Sequence, residues 1–156
     1  MLAVVLIAAG CTGVQDKVGE AYKGWKPGEM DIHHIHTGMG EANFIIMPDG
    51  TSMLIDAGDL GPNDPSWEMP KAFPPIADAE FHPGKYVARY IMKVNPKHEH
   101  VDYFMSSHFH DDHLTNAKKG AEMTVGRDPD YVFSGVTEAG EWLDFGKFYD
   151  RGWPDY

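Results

Sequence analysis

Ser106-Ser107-His108-Phe109-His110-Asp111-Asp112-His113-Leu114-Thr115-Asn116 sets three imidazoles and two carboxylates within six consecutive positions, directly after the apolar run Val101-Asp102-Tyr103-Phe104-Met105. Loops without chemistry fill with Gly, Ser, Asn and Lys, so alternate histidines are a metal-ligand density. Neutral imidazole and carboxylate oxygen suit zinc, manganese or iron, and a His-x-His-x-Asp-His spacing on a tight loop can aim two side chains at one cation and two at a neighbour. The apolar run reads as a short buried strand whose end delivers that loop.

Working outward, Tyr86, Val87, Tyr90, Ile91 and Val94 recur at helical spacing between Pro83, which suits a helix start, and Pro96, which stops one. A helix over Pro83–Val94 followed by a strand over Val101–Met105 is an α/β arrangement. Upstream, Asp31 to Thr37, Asn43 to Pro48 and Ser52 to Asp56 read as strands, the last two joined by Asp49-Gly50, a hairpin signal. Phe44-Ile45-Ile46-Met47 and Met53-Leu54-Ile55 are continuous apolar runs, as expected of core strands covered on both faces. Downstream, 117–126 reads as a short helix or loop, and Tyr131 to Phe133 and Lys147 to Tyr149 as short strands.

His108, His110, Asp112 and His113 fill all four positions of the signature of the metallo-β-lactamase superfamily, which this stretch resembles. The resemblance implies an αββα sandwich of two sheets flanked by helices, with a dinuclear metal site on loops at one sheet edge. By that resemblance His108 and His110 hold the first metal, Asp112 and His113 the second, Asp112 carries a catalytic role, and Asp111 occupies a variable position. His36-Thr37-Gly38-Met39-Gly40-Glu41-Ala42 followed by Leu54-Ile55-Asp56-Ala57-Gly58 looks like the opening of the ComEC-like (competence protein) branch. That branch usually has Asp where this chain has His36 and Glu41, two residues that fall near the expected cleft. The same resemblance makes Asp56 a brace of the metal loop through hydrogen bonds. Of the neighbouring histidines, alternation puts His34 and His36 on one face of a strand and His33 on the other, lining the cleft or packing in the core.

With 156 residues, 42% hydrophobic and 24% charged, the chain suits a soluble domain with a real core, which excludes disordered and collagen-like classes. A formal net charge of −11 argues against an electrostatic grip on nucleic acid. The length is short for the suspected superfamily. After His113 there is no histidine, and Asp128, Asp130, Asp144, Asp150 and Asp155 are the aspartates available for a metal bridge. The expectation is therefore the N-terminal half of such a domain over residues 30–156, with the remaining ligands beyond Tyr156.

Met1 to Gly10 is apolar, too short to span a bilayer, and ends in small residues at Cys11. This resembles a bacterial lipoprotein signal over 1–11, implying export and a membrane anchor through lipid on Cys11. A single cysteine excludes both an intrachain disulfide and a zinc-thiolate cluster. Residues 12–29 suit a tether, with Trp25 as the point where the chain docks onto the domain. Asp59 to Pro83, rich in Pro, Gly, Asp and Ala, reads as a long loop overhanging the metal loop, with Trp67, Met69, Phe73 and Phe81 as a wall for substrate or as pins to the domain.

The function these readings imply is a metal-dependent hydrolase in which two divalent ions, zinc first among the candidates, generate hydroxide from a bridging water and polarise the bond under attack. The substrate is a small molecule or a phosphodiester. A phosphodiesterase or nuclease of the competence-protein type, and a metal-binding surface lipoprotein without catalysis, are the alternatives.

Overall fold

A computed structural model describes residues 19–37, 40–58, 83–114, 131 and 133–152 of the chain. Cys11 and the apolar leader, the Gly38-Met39 pair, the long loop with Trp67, Met69, Phe73 and Phe81, the 117–126 segment, and Asp128, Asp130 and Asp155 lie outside them. The described residues form a mixed α/β unit: one five-stranded sheet in the order β1-β2-β3-β4-β5, with strands β1 (Asp31–His34), β2 (Asn43–Ile46), β3 (Ser52–Ile55), β4 (His100–Met105) and β5 (Asp144–Tyr149). Three helices accompany it, α1 (Pro83–Val94), α2 (Asp111–Leu114) and α3 (Gly135–Ala139). A second sheet of the expected sandwich is absent among the described residues.

The first three strands are an antiparallel meander, while β3–β4 and β4–β5 pair in parallel. Parallel pairing needs a crossover, and α1 supplies it between β3 and β4. The crossover brings the ends of β3 and β4 to one edge of the sheet, with Ile55 beside Met105. Both loops that leave this edge carry acid or imidazole groups.

One face of the sheet is a packed core. Phe44, Ile46 and Leu54 are fully buried together with Val87, Ala88 and Ile91 of α1. The i, i+1, i+4 spacing of the three helix residues forms a stripe. Complete burial of side chains the size of Val or Ile contributes about 1.5–3 kcal/mol each. Pro96 cannot continue α1, and the buried Asn95 organises the turn after the helix: its amide nitrogen donates to the carbonyls of His98 (3.0 Å) and His100 (2.8 Å), and its carbonyl accepts from the Lys97 N–H (3.1 Å). That turn feeds β4.

Several boundaries differ from expectation. The first strand stops at His34 rather than Thr37, the second at Ile46 rather than Pro48, and the third at Ile55 rather than Asp56, which turns out of the strand. The last strand begins at Asp144, three residues before Lys147, because it follows β4 through a parallel ladder that short-range pattern cannot show. Tyr131 and Phe133 are not in a strand. Instead the chain turns into α3, which no expectation from the sequence included. Its start is a capping box in which Ser134 accepts from the Thr137 N–H while the Thr137 hydroxyl accepts from the Ser134 N–H. The usual signature has Glu or Gln in that third position, so Thr137 hides it. Close approach to α1 holds α3 in place: a Cβ on Gly84 would lie 2.3 Å from the Gly135 carbonyl oxygen. The segment before β1 is docked where described, since Trp25 packs against the core and the Gly28 N–H donates to the Pro48 carbonyl (2.8 Å).

Asp102 joins β3 to β4 away from the metal loop. Its Oδ2 accepts from the Ser52 N–H (2.8 Å), the Ser52 hydroxyl (2.9 Å) and the Lys97 ammonium (2.6 Å). Partial burial opposes its ionisation, but Lys97 and Ser52 outweigh that and hold its pKa down at about 2, against an ordinary 3.8. A carboxylate whose folded pKa is depressed stabilises the fold above its unfolded pKa and loses that contribution as pH falls through the folded value. Asp102→Asn should therefore flatten the stability loss between about pH 4 and pH 2, and should cost on the order of 1 kcal/mol near neutrality once solvent screening is allowed for. Urea unfolding across that range checks it, and an unchanged acid limb in the variant would refute the assignment.

Candidate metal centre

The centre is built from backbone before side chains. Ala57 N–H donates to the His113 carbonyl (3.0 Å), Glu41 N–H to the Asp112 carbonyl (2.8 Å), and Gly58 N–H to the Glu41 carbonyl (3.0 Å). Three loops, those after β1, β3 and β4, are thus laced at the sheet edge where the parallel pair ends. Gly58 permits this closeness: a Cβ there would sit 2.1 Å from the Asp112 carbonyl oxygen and 2.3 Å from the His113 nitrogen.

Asp56 sits at the middle of the lacing. It is 1% exposed, and its φ of 58° lies in the left-handed region, where aspartate is better tolerated than most residues. Its Oδ1 accepts from the Ser107 N–H (2.8 Å), and its Oδ2 from the Ser107 hydroxyl (2.6 Å) and from His113 Nδ1 (2.7 Å). A carboxylate only accepts, so Nδ1 of His113 is the donor, and in the neutral imidazole Nε2 is the nitrogen that offers a lone pair. That Nε2 lies 3.6 Å from Asp112 Oδ2. The Ser107 hydroxyl, its proton committed to Asp56, is an acceptor toward His108 Nδ1 at 3.0 Å, which leaves Nε2 of His108 free as well. The same hydroxyl lies 3.3 Å from His113 Nδ1, so Ser107 touches both imidazoles. It went unassigned in the sequence because a serine beside histidines carries no signal until its hydroxyl is seen to bridge them.

His108, Asp112 and His113 each offer one ligand atom, and all three atoms lie within 4.8 Å of one another. Two neutral imidazoles and one carboxylate match the donor chemistry of a three-ligand zinc site that keeps a fourth position open. None of the three is buried, so an ion and a substrate have access from solvent. His110 stands beside this set, its ring 4.5 Å from that of His108, whose ring is in turn 3.9 Å from that of His113. Three of the four residues that the resemblance names, His108, Asp112 and His113, are thus gathered as one possible ligand set, with the His110 ring next to that of His108. Asp112 and His113 stand on the one-turn helix α2, whose start His110 closes by accepting from the His113 N–H (3.0 Å).

The remaining candidates divide. Glu41 reaches the centre through its backbone, while its exposed carboxylate accepts from the Asn43 amide. His36, exposed, and Asp111, partly buried, are outside the metal set. His34 is bound to Asn43 on the neighbouring strand. His33 faces the other way, as alternation requires, with Nδ1 3.0 Å from the Tyr90 hydroxyl and its ring among Tyr22, Phe44 and Tyr90. Burial pushes its pKa below the ordinary histidine value, against an opposing pull from Asp31. Of the aspartates considered for a bridge, Asp144 is at the far end of β4, where it accepts from His100 Nδ1 (2.8 Å). Asp150 follows β5 and lies at the same edge as the centre, in the wall of a cavity shared with Ser106 and Ser107. Comparison with protein-family models, with curated proteins and with solved structures returned no match.

Proposed function

We propose that this chain is a metal-dependent hydrolase of the metallo-β-lactamase type. The observation that carries the proposal is the set of His108, Asp112 and His113 within 4.8 Å, with His113 oriented by the buried Asp56. An isolated polar loop has no reason to commit a buried carboxylate to orienting one imidazole, whereas a ligand that must present Nε2 does. A divalent cation held there supplies a Lewis acid and acidifies water at neutral pH. The chain's own residues do the rest: Asp56 and Ser107 hold the two imidazoles, and the Glu41, Ala57 and Gly58 backbones hold the loop that carries them. The two-sheet sandwich belongs to the same proposal. A second sheet laid against Ile32 and Ile45, which pair across β1 and β2 on the face away from α1, would complete it.

The test is metal content and turnover together. Protein dialysed against zinc and then against buffer should retain at least one ion per chain by elemental analysis, and should hydrolyse p-nitrophenyl acetate or bis(p-nitrophenyl) phosphate in a chelator-sensitive way. Retention of two ions would bring His110 in as a ligand of the second. Protein that retains no zinc, manganese or iron would overturn the proposal.

A further inference from the structure

Residues 19–30 meet the domain at two places. At the first, Trp25 packs against the core, its Nε1 donates to the Glu29 carbonyl (2.7 Å), and the Gly28 N–H donates to the Pro48 carbonyl beside the β2–β3 turn (2.8 Å). The second is a cluster on the α1 side of β1. The Tyr22 hydroxyl donates to Asp31, and the Tyr22 ring stands edge-on to His33 with centroids 5.2 Å apart. His33 Nδ1 lies 3.0 Å from the Tyr90 hydroxyl of α1, and the Phe44 ring of β2 is 6.1 Å away. The other nitrogen, Nε2, is shut off from solvent and has no hydrogen-bond partner. Buried polar atoms of that kind are uncommon in folded proteins.

A proton on His33 changes what this cluster tolerates. Both ring nitrogens then donate, and the charge sits among Tyr22, Phe44 and Tyr90, where the Nε2 hydrogen meets no acceptor. The charged group that acts on His33 among the described residues is Asp31, on the same strand face by alternation, and the Tyr22 hydroxyl occupies that carboxylate. Tyr22 and Tyr90 offer no opposite charge: burial pushes both phenols up, and Asp31, then Glu29, add to the rise at Tyr22. Departure of Tyr22 lets water reach Nε2 and frees Asp31 to pair with the imidazolium. We propose that His33 is a pH-sensitive latch on the N-terminal segment, which as the neutral ring seats Tyr22 and keeps residues 19–30 on the domain, and as the imidazolium releases them. Burial holds docked His33 below its ordinary pKa of 6.5, against the pull of Asp31. A base whose pKa docking lowers favours the docked state fully above the free value, and loses that contribution as pH falls from the free value to the docked one. Release therefore sets in below about pH 6.5. As a flexible chain residues 19–30 span roughly 20 Å, so acidification lengthens the link between the domain and the chain before it. The latch is independent of the hydrolase reading.

Hydrogen exchange read by mass spectrometry on the full chain, at about pH 7.5 and about pH 5 and corrected for the intrinsic pH dependence of exchange, tests the latch. Peptides covering residues 19–30 should lose protection at least about threefold at the lower pH, while those covering α1 and β3 keep theirs. In His33→Phe, which keeps a ring and removes the titration, the difference should vanish. If that variant fails to fold, Tyr22→Ala serves in its place, since Tyr22 is 44% exposed. Its removal should raise the His33 titration midpoint, read by imidazole NMR, toward 6.5, because docking and the neutral ring are linked. Equal loss of protection over the whole chain at the lower pH would be general acid unfolding and would overturn the latch. A pH difference that survives in His33→Phe would overturn it too, as would a His33 midpoint that Tyr22→Ala leaves unmoved.

Discussion

Gly58→Ala is expected to destroy the cooperative fold around the metal loop, with a loss of about 4 kcal/mol or more. A Cβ at this position would lie 2.1 Å from the Asp112 carbonyl oxygen, 2.2 Å from its carbonyl carbon and 2.3 Å from the His113 nitrogen. Every one of those atoms is backbone, so no side chain can swing aside. The same atoms belong to the lacing, in which the Asp112 carbonyl accepts from Glu41 and the His113 carbonyl from Ala57. Relief of the clash would break these bonds and leave buried polar groups unpaired, at about 1–3 kcal/mol each. Gly140→Ala is the control, since its Cβ would meet nothing closer than the Thr137 carbonyl oxygen at 3.4 Å and its φ of −65° is helical. It should stay within about 0.5 kcal/mol of the parent. Urea unfolding of the two variants decides: a Gly58→Ala protein within about 1 kcal/mol of the parent would mean that the loops are not packed as described.

Removal of His113 should lower zinc affinity at least a hundredfold, and removal of His108 by a similar factor, measured by competition with a chromogenic chelator. Both imidazoles belong to the three-ligand set, and loss of one leaves two donors. His110→Ala should cost under tenfold, because its ring adjoins the set without joining it, and Asp111→Ala less still. Asp56→Asn touches no ion yet should cost roughly ten- to a hundredfold, the usual effect of disturbing the partner that orients a ligating imidazole. The Asn amide can offer only one acceptor oxygen where the carboxylate takes three hydrogen bonds from Ser107 and His113. Equal losses for His110→Ala and His113→Ala would instead favour the pairing of His108 with His110 that the resemblance implies.

The strands and the main helix were legible because their signals are local. Phe44 to Met47 and Met53 to Ile55 are apolar runs bounded by turn residues, and Pro83 and Pro96 bracket a helical stripe whose observed limits are Pro83–Val94. Helix α3 was not legible. Five residues with a glycine and a β-branched valine have little intrinsic preference for a helix, and the packing of Gly84 against Gly135 that favours one joins residues 51 positions apart.

The sequence by itself determined that residues 108–113 are dense in metal-ligating groups, that a strand delivers them, and that another strand runs up to Asp56, since residue type and period depend on neighbours a few positions away. Only the tertiary structure decided which of those groups meet. The parallel pairing of β3 with β4 brings Asp56 within 2.7 Å of His113, 57 positions on. Ligand atoms of His108, Asp112 and His113 come within 4.8 Å of one another, with the His110 ring beside that of His108. Register across a crossover and the direction of a side chain on a one-turn helix are set by packing between distant segments, and no local pattern of residues encodes them.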